Sequence, residues 1–369
     1  NTAQAGDTVY FRGGVWYPKT KAAQGFTITR IDPKNGYGHN GTRENPICFF
    51  AYPQDYEAGN FPVLDCQLAS QTTTSNFGLG ILYASNIKFK GLTICNVKQY
   101  TPAVCCGISG ADCGNLWFEN IRVHHINGEG IWIRGYDTLY FTNCDSYRNF
   151  DPLGDAQHIP GGMGDGFLFS SRAASSVDSV KTIYITGCRA WENSDDGFDL
   201  NVQEMYLTNS WSWSNGKLIG GPGGIGFKTN TGLVRDPEKK IFRNCISAYN
   251  QYEGGSGGGL IFANFEAGLG TICSFNNNFS YRDDRITASK YTSDFELRNY
   301  NVQFSNNIAF QELATYIGSF DAAKDQYKLY PYAHLRTNSI IIHPESTTGK
   351  CVTNPSFTVT DDDFLSLDT

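Results

Sequence analysis

The stretch LYFTNCDSY, Leu139 to Tyr147, returns as IYITGCRAW at Ile183 to Trp191 and as MYLTNSWSW at Met205 to Trp213. Apolar residues alternate within each copy, as a strand with one buried face requires. Earlier copies are IKFKGLTIC, ending at Cys95, and LWFENIRVH, ending at His124; later ones are KIFRNCISAY and VQFSNNIAF. An Asn or Gly anchors each copy, at Gly91, Asn120, Asn143, Gly187, Asn209, Asn244 and Asn306, with a weaker copy at Asn277. Most intervals between anchors are 22 to 35 residues, the length of one β-helix coil, and the 44-residue step leaves room for a loop.

An Asn stacked at one bend of successive coils can pair its amide with the coils above and below, or it can act simply as a turn former. A leucine-rich horseshoe is excluded because no leucine motif recurs, and a propeller blade needs four strands in a longer period. The expected fold is therefore all-β: a single-domain right-handed parallel β-helix with a stacked Asn ladder and a C-terminal capping tail. Within 1–369, residues 1–85 form N-terminal coils and a cap, beginning with GDTVYFRGGVWY (Gly6 to Tyr17). Residues 86–310 form regular coils with the groove, and 311–369, where the repeat fades, form the cap or tail.

Composition agrees with a strand-and-turn protein: 40 Gly, 21 Tyr and 25 Phe among 369 residues, with 2 Met and 18% charged residues. A formal charge of -7 argues against a nucleic-acid partner, which must be met by a basic face. No stretch approaches the roughly 20 apolar residues of a membrane span, and Asn1 does not begin a signal peptide, so a processed soluble chain is expected. The 11 cysteines are odd in number and scattered. Cys144, Cys188 and Cys245 share one position of the repeat and read as small buried apolar residues rather than bridges.

A second motif follows the first, in the copies GEGIW, GDGFL, DDGFD, GIGFK and GGGLI. Aligned on the central Gly, Trp132, Leu168, Asp199, Lys228 and Ile261 share one column, and Glu129, Asp165, Asp196, Ile225 and Gly258 another. Equivalent positions on consecutive coils lie about 4.8 Å apart, so Asp199 and Lys228 are expected to be neighbours, as are Asp165 and Asp196. Asp165, Asp195, Asp196 and Asp199 would then converge on a patch two coils high. Four such charges repel one another unless a cation sits among them. Calcium, which takes 6 to 8 oxygen ligands, suits them, whereas zinc would prefer nitrogen or sulfur. The plainer reading of SDDGFD is a solvated acidic turn, which does not account for the alignment of Asp165. Lys228 is either a structural salt bridge to Asp199 or a catalytic base.

Asn193-Ser194-Asp195-Asp196-Gly197-Phe198-Asp199 followed by Gly226-Phe227-Lys228 resembles polysaccharide lyase family nine. That resemblance, running from about Gly6 through the last coils, implies a right-handed parallel β-helix of pectin-degrading lyases. It implies calcium held by Asp165, Asp195, Asp196 and Asp199, and Lys228 as the base of a β-elimination. It leaves open pectate (homogalacturonan) against rhamnogalacturonan I. The implied partner is an acidic galacturonan, the implied location secreted, periplasmic or cell-surface, and a monomer is expected.

Long inserts at Asp151 to Gly164 and Gly216 to Gly224 enter the same region, which makes His158, Lys217 and Arg235 candidate substrate contacts. Two rival functions remain at this stage. One is a β-helical pectin glycoside hydrolase using Asp195 and Asp196 as acid and base, although none of the six His lies in the Gly-His-Gly motif of such polygalacturonases. The other is a non-catalytic carbohydrate-binding β-helix in which calcium is structural and Lys228 dispensable.

Overall fold

The computed structural model describes residues 3–18, 27–69, 76–155, 158–170, 181–216, 224–230, 239–250 and 258–263, with shorter segments at 272–281, 293–297, 302–305, 307–310, 316–317, 319–321, 326–328, 336–337 and 340–342. Three parallel sheets dominate it, of 11, 11 and 10 strands among the described residues. Each coil gives one strand to each sheet in turn. In one coil these are Leu116–Glu119, Arg122–His124 and Glu129–Tyr136, and each pairs with its counterpart in the coils before and after. The chain is the parallel β-helix expected from the repeat.

Each repeat copy proves to hold two strands, joined by a sharp corner at its anchor. Gly91, Asn120, Asn143, Gly187, Asn209, Asn244 and Asn277 all have φ between 52° and 72°. This left-handed conformation favours Gly and Asn over other residues, which is why those two alternate at the anchor. Asn306 lies outside the described residues. The anchors form a short exposed ladder, with Asn244 Nδ2 donating to Asn209 Oδ1 (3.0 Å) and Asn277 Nδ2 to Asn244 Oδ1 (3.2 Å).

The buried ladder stands at the next corner, between the second and third sheets. Asn149, Asn193, Asn215 and Asn250 are all fully buried. Asn149 Nδ2 donates to Asn193 Oδ1 (2.9 Å), Asn193 Nδ2 to Asn215 Oδ1 (3.0 Å) and Asn215 Nδ2 to Asn250 Oδ1 (2.8 Å). Each receiving carbonyl also accepts the backbone N–H of the preceding Asn, so one side chain satisfies two donors at a bend where sheet bonding lapses.

The interior is filled by stacked columns. Phe89, Phe118 and Phe141 follow one another at 5.2 and 4.6 Å, and Phe167, Phe198 and Phe227 at 4.7 and 4.9 Å. Cys144, Cys188 and Cys245 are fully buried free thiols, and Cys188 Sγ accepts the Cys144 backbone N–H at 3.4 Å. Burial pushes the Cys245 thiol up to about 12, far from reactive thiolate chemistry.

At the start, Thr8–Phe11 and Gly14–Trp16 already pair into the first and second sheets. Parallel pairing also runs past residue 311, where the sequence repeat fades, since Ile340–Ile342 adds to Ile308–Phe310. No helix among the described residues is long and apolar enough to cross a membrane.

Replacing Asn193 with Leu removes the acceptor of two Asn149 donors, the backbone N–H and Nδ2, and one of the two donors to Asn215 Oδ1, while keeping the side-chain volume roughly constant. The expected loss is about 2–4 kcal/mol, at 1–3 kcal/mol per unsatisfied buried group. A denaturant midpoint unchanged from the parent protein would contradict the role given to this ladder.

Candidate active site

Phe167, Phe198 and Phe227 point into the core from the third-sheet strands Phe167–Ser170, Phe198–Asn201 and Ile225–Asn230. Side chains alternate along a strand, so the residue after each Phe faces outward. Register pairs Trp132 with Leu168, Leu168 with Asp199, Asp199 with Lys228 and Lys228 with Ile261. The Gly before Phe167 and the Gly before Phe198 are required by close approach. A methyl group at Gly197 would lie 2.0 Å from Ser212 Oγ, and one at Gly166 would lie 2.6 Å from the Gly197 carbonyl oxygen.

Asp195 and Asp196 come from the bend just after Asn193, which the buried amide ladder fixes. One oxygen from each of Asp165, Asp195 and Asp196 lies within 4.8 Å of the other two. Asp199 joins through Lys228, whose Nζ is 2.7 Å from Asp199 Oδ2 and 2.8 Å from Asp196 Oδ2. Asn201 Nδ2 holds the other Asp199 oxygen at 3.0 Å.

Glu129, one coil below Asp165, belongs to the same cluster, although the sequence reading placed it in the column without giving it a role. The column is a relay of carboxylates on backbone donors. Glu129 Oε2 accepts the Asp165 N–H (3.0 Å), Asp165 Oδ1 accepts the Asp196 N–H (2.8 Å), and Asp196 Oδ1 accepts from Ile225 (2.8 Å) and Gly224 (3.1 Å). Each acid thereby fixes the backbone that carries its successor.

Four aspartates, Asp165, Asp195, Asp196 and Asp199, thus act on one ammonium, with Glu129 behind Asp165, and of these five acids Glu129, Asp165, Asp196 and Asp199 are buried. Burial, then Asp196 and Asp199, holds the Asp165 carboxyl well above its ordinary range. Burial, then Asp196 and Asp165, does the same to Asp195, and burial, then Asp165 and Asp195, to Glu129. Burial also raises Asp199 against the pull of Lys228. For Lys228 itself, burial works to lower the value, but Asp196, Asp199, Asp165 and Asp195 together leave it well raised. Without a further cation the lysine is therefore a protonated bridge to two aspartates. An oxygen-only, strongly negative and largely buried donor set fits a hard dication such as calcium.

The loop that delivers Asp165 is folded back on itself. Asp151 Oδ1 accepts the Met163 N–H (3.1 Å), and Gln99 ties the loop from below through Leu153 N–H (2.9 Å) and the Gly154 carbonyl (2.8 Å). His158 is exposed on this loop, with Nδ1 2.9 Å from Asp155 Oδ1, and none of its contacts among the described residues reaches the carboxylate cluster. Lys217 and Arg235 lie outside the described residues.

Residues 1–292 match the family described as Pel9A-like, right-handed beta helix region. The chain belongs to that family. It is 31% identical over 345 residues to pectate lyase L of Dickeya chrysanthemi, covering 90% of this chain and 69% of the relative. It is also 24% identical over 286 residues to pectate lyase PEL9 of Emericella nidulans, covering 68% and 61%. Among solved structures, a rhamnogalacturonan lyase superposes with a TM-score of 0.66 at 20% identity, over 99% of this chain and 84% of that one. Pectate lyase Pel9A superposes with a TM-score of 0.54 at 22% identity, over 83% and 72%. These two share the coil architecture with this chain. Together with the family match, the relatives make the chain a polysaccharide lyase.

The raised acids set the sign of a pH effect. A carboxyl whose value is higher folded than unfolded contributes stability below its unfolded value and loses it as pH rises through the folded one. Freed of divalent cations, the protein is expected to melt at a lower temperature at pH 8 than at pH 5. Calcium at one fixed concentration, a hundred times its Kd at pH 8, then adds about 2.7 kcal/mol at pH 8 and less at pH 5, where protons compete for the carboxylates. Calorimetric melts with chelator and with calcium check both, and a calcium effect independent of pH would contradict the assignment.

Proposed function

We propose that the chain cleaves a galacturonate-containing pectin, either homogalacturonan or rhamnogalacturonan I, by β-elimination, with calcium held by Asp165, Asp195, Asp196 and Asp199 and with Lys228 as the base. The observation that carries this reading is the adjacency of Lys228 Nζ to two cluster aspartates, at 2.7 and 2.8 Å, on the outward face of the sheet. The names of the relatives supply the substrate class.

The proton to be removed, at C5 of a galacturonate, is α to a carboxylate, so its loss builds negative charge on that group. Calcium in the cluster supplies charge neutralisation, both for the aspartates and for the substrate carboxylate. Asp196 and Asp199 hold the lysine amine at the rim, where its side chain keeps 25% of its exposure. There Nζ, as the free amine, takes the C5 proton, and the electron pair left at C5 becomes the C4–C5 double bond as the C4–O4 bond breaks. O4 leaves on the released chain and takes a proton from solvent, so an unsaturated uronate end is left. Because the surrounding carboxylates raise Lys228, the free amine grows with pH, and the rate is expected to climb into the alkaline range.

The hydrolase alternative fares worse on geometry. Asp196 is 1% exposed, with Oδ1 accepting from two backbone N–H groups and Oδ2 from Lys228, so it is buried out of reach of a glycosidic bond. One chain carries every named group, so a monomer suffices, and a polymeric substrate puts the enzyme outside the cytoplasm.

Following the ultraviolet absorbance of the unsaturated product on polygalacturonate and on rhamnogalacturonan I tests this directly. Absorbance is expected with calcium and not with chelator, and Lys228→Ala is expected to lower kcat by about 10²- to 10⁴-fold, the usual contribution of a general base. Reducing ends without absorbance would overturn the elimination, and a fully active Lys228→Ala would overturn the base.

A further inference from the structure

In the third sheet, the described strands from Asn76 to Ala263 carry two cations, Lys228 and Arg134. Lys228 is committed to Asp196 and Asp199. Arg134 is exposed and pairs with no carboxylate among the described residues. It lies on the strand Glu129–Tyr136, where Ile131 and Ile133 are fully buried and Trp132 and Arg134 face outward with Asp199 and Lys228. The rows Trp132–Leu168–Asp199–Lys228 and Arg134–Ser170–Asn201 run side by side along the coil axis. At one inter-strand spacing per coil, Trp132 stands about 14 Å below Lys228 on the same face.

Arg134 is also preorganised. Its guanidinium carbon lies 4.8 Å from the centroid of the Trp132 ring. A guanidinium stacked on an aromatic face keeps its in-plane donors free, in the fork that matches a carboxylate. The remaining outward groups near it on these rows, Leu168, Ser170 and Asn201, are uncharged.

We propose that Arg134, held by Trp132, is a distal subsite that binds the carboxylate of a uronate unit several residues along the polymer from the unit attacked by Lys228. A hexuronate unit is comparable in length to one coil spacing, so the chain would run along the outer face of the third sheet, and Arg134 would select for charged over esterified units. This rests on the lyase reading only for the identity of the polymer.

The test compares the parent protein with Arg134→Gln, Arg134→Lys and Trp132→Leu. Mobility is read in native gels containing polygalacturonate, rhamnogalacturonan I or fully methyl-esterified pectin, and kinetics are run on polymer and on trigalacturonate. Arg134→Gln is expected to weaken retardation by polygalacturonate, and to raise KM on polymer, by about five- to tenfold, the scale of one charge-assisted contact. Its kcat, its melting temperature and its rate on the trimer are expected to stay near the parent values. Arg134→Lys retains part of the affinity, and Trp132→Leu gives a smaller loss. Unchanged retardation and KM in Arg134→Gln would overturn the subsite, as would an equal loss on the esterified polymer. Absence of unsaturated product from the parent enzyme would instead count against the lyase reading, which the gel measurement does not require.

Discussion

The parallel hydrogen-bonded register between coils is the constraint on which everything else depends. It places residues 22 to 44 positions apart in sequence directly over one another and turns a one-dimensional repeat into columns of like side chains. Apolar columns fill the interior. Amide columns satisfy backbone groups where the sheets bend. One column breaks the pattern by stacking acids, and like charges at one coil spacing are unfavourable in any protein that has no use for them.

The site is therefore continuous with the fold rather than grafted on it. The Asn193 amide is shared between coils, Asp195 and Asp196 follow it immediately, and the Gly-Phe pair that comes next locks the strand so that Asp199 faces out. The relay from Glu129 through Asp165 to Asp196 uses charged side chains as backbone acceptors, bonds stronger than neutral ones, and it partly offsets the cost of burying them. In the absence of a dication burial and mutual repulsion still hold Glu129, Asp165, Asp195 and Asp199 above their ordinary range, so the ligand set is strained electrostatically while hydrogen bonds fix its backbone. Such preorganisation suits a catalytic metal site, since the ligands need not be assembled on binding.

Much of this was legible in the sequence. The spacing of GDGFL, DDGFD and GIGFK fixed the register that pairs Asp199 with Lys228, because a strand repeat allows little slippage when one face is buried. The buried amide ladder was harder to see. Asn149, Asn193, Asn215 and Asn250 follow the anchors Asn143, Gly187, Asn209 and Asn244 at a constant offset of six residues, a signal present but masked by the stronger preference of the anchors for left-handed φ. Glu129 was in the right column, yet its contact with the Asp165 N–H depends on a loop whose path no periodicity describes. The charge state of Lys228 was beyond sequence reading, since it is the difference between burial and four carboxylates acting in opposite senses.

The central claim is that these stacked acids exist to hold a cation beside a lysine. Diffraction from calcium-soaked crystals, with the anomalous signal used to locate the ion, tests it most directly. The account predicts a peak bounded by oxygens of Asp165, Asp195, Asp196 and Asp199, with Lys228 Nζ no longer bridging both Asp196 and Asp199. A structure at saturating calcium with no peak among those carboxylates, and with Lys228 still bound to both, would contradict it.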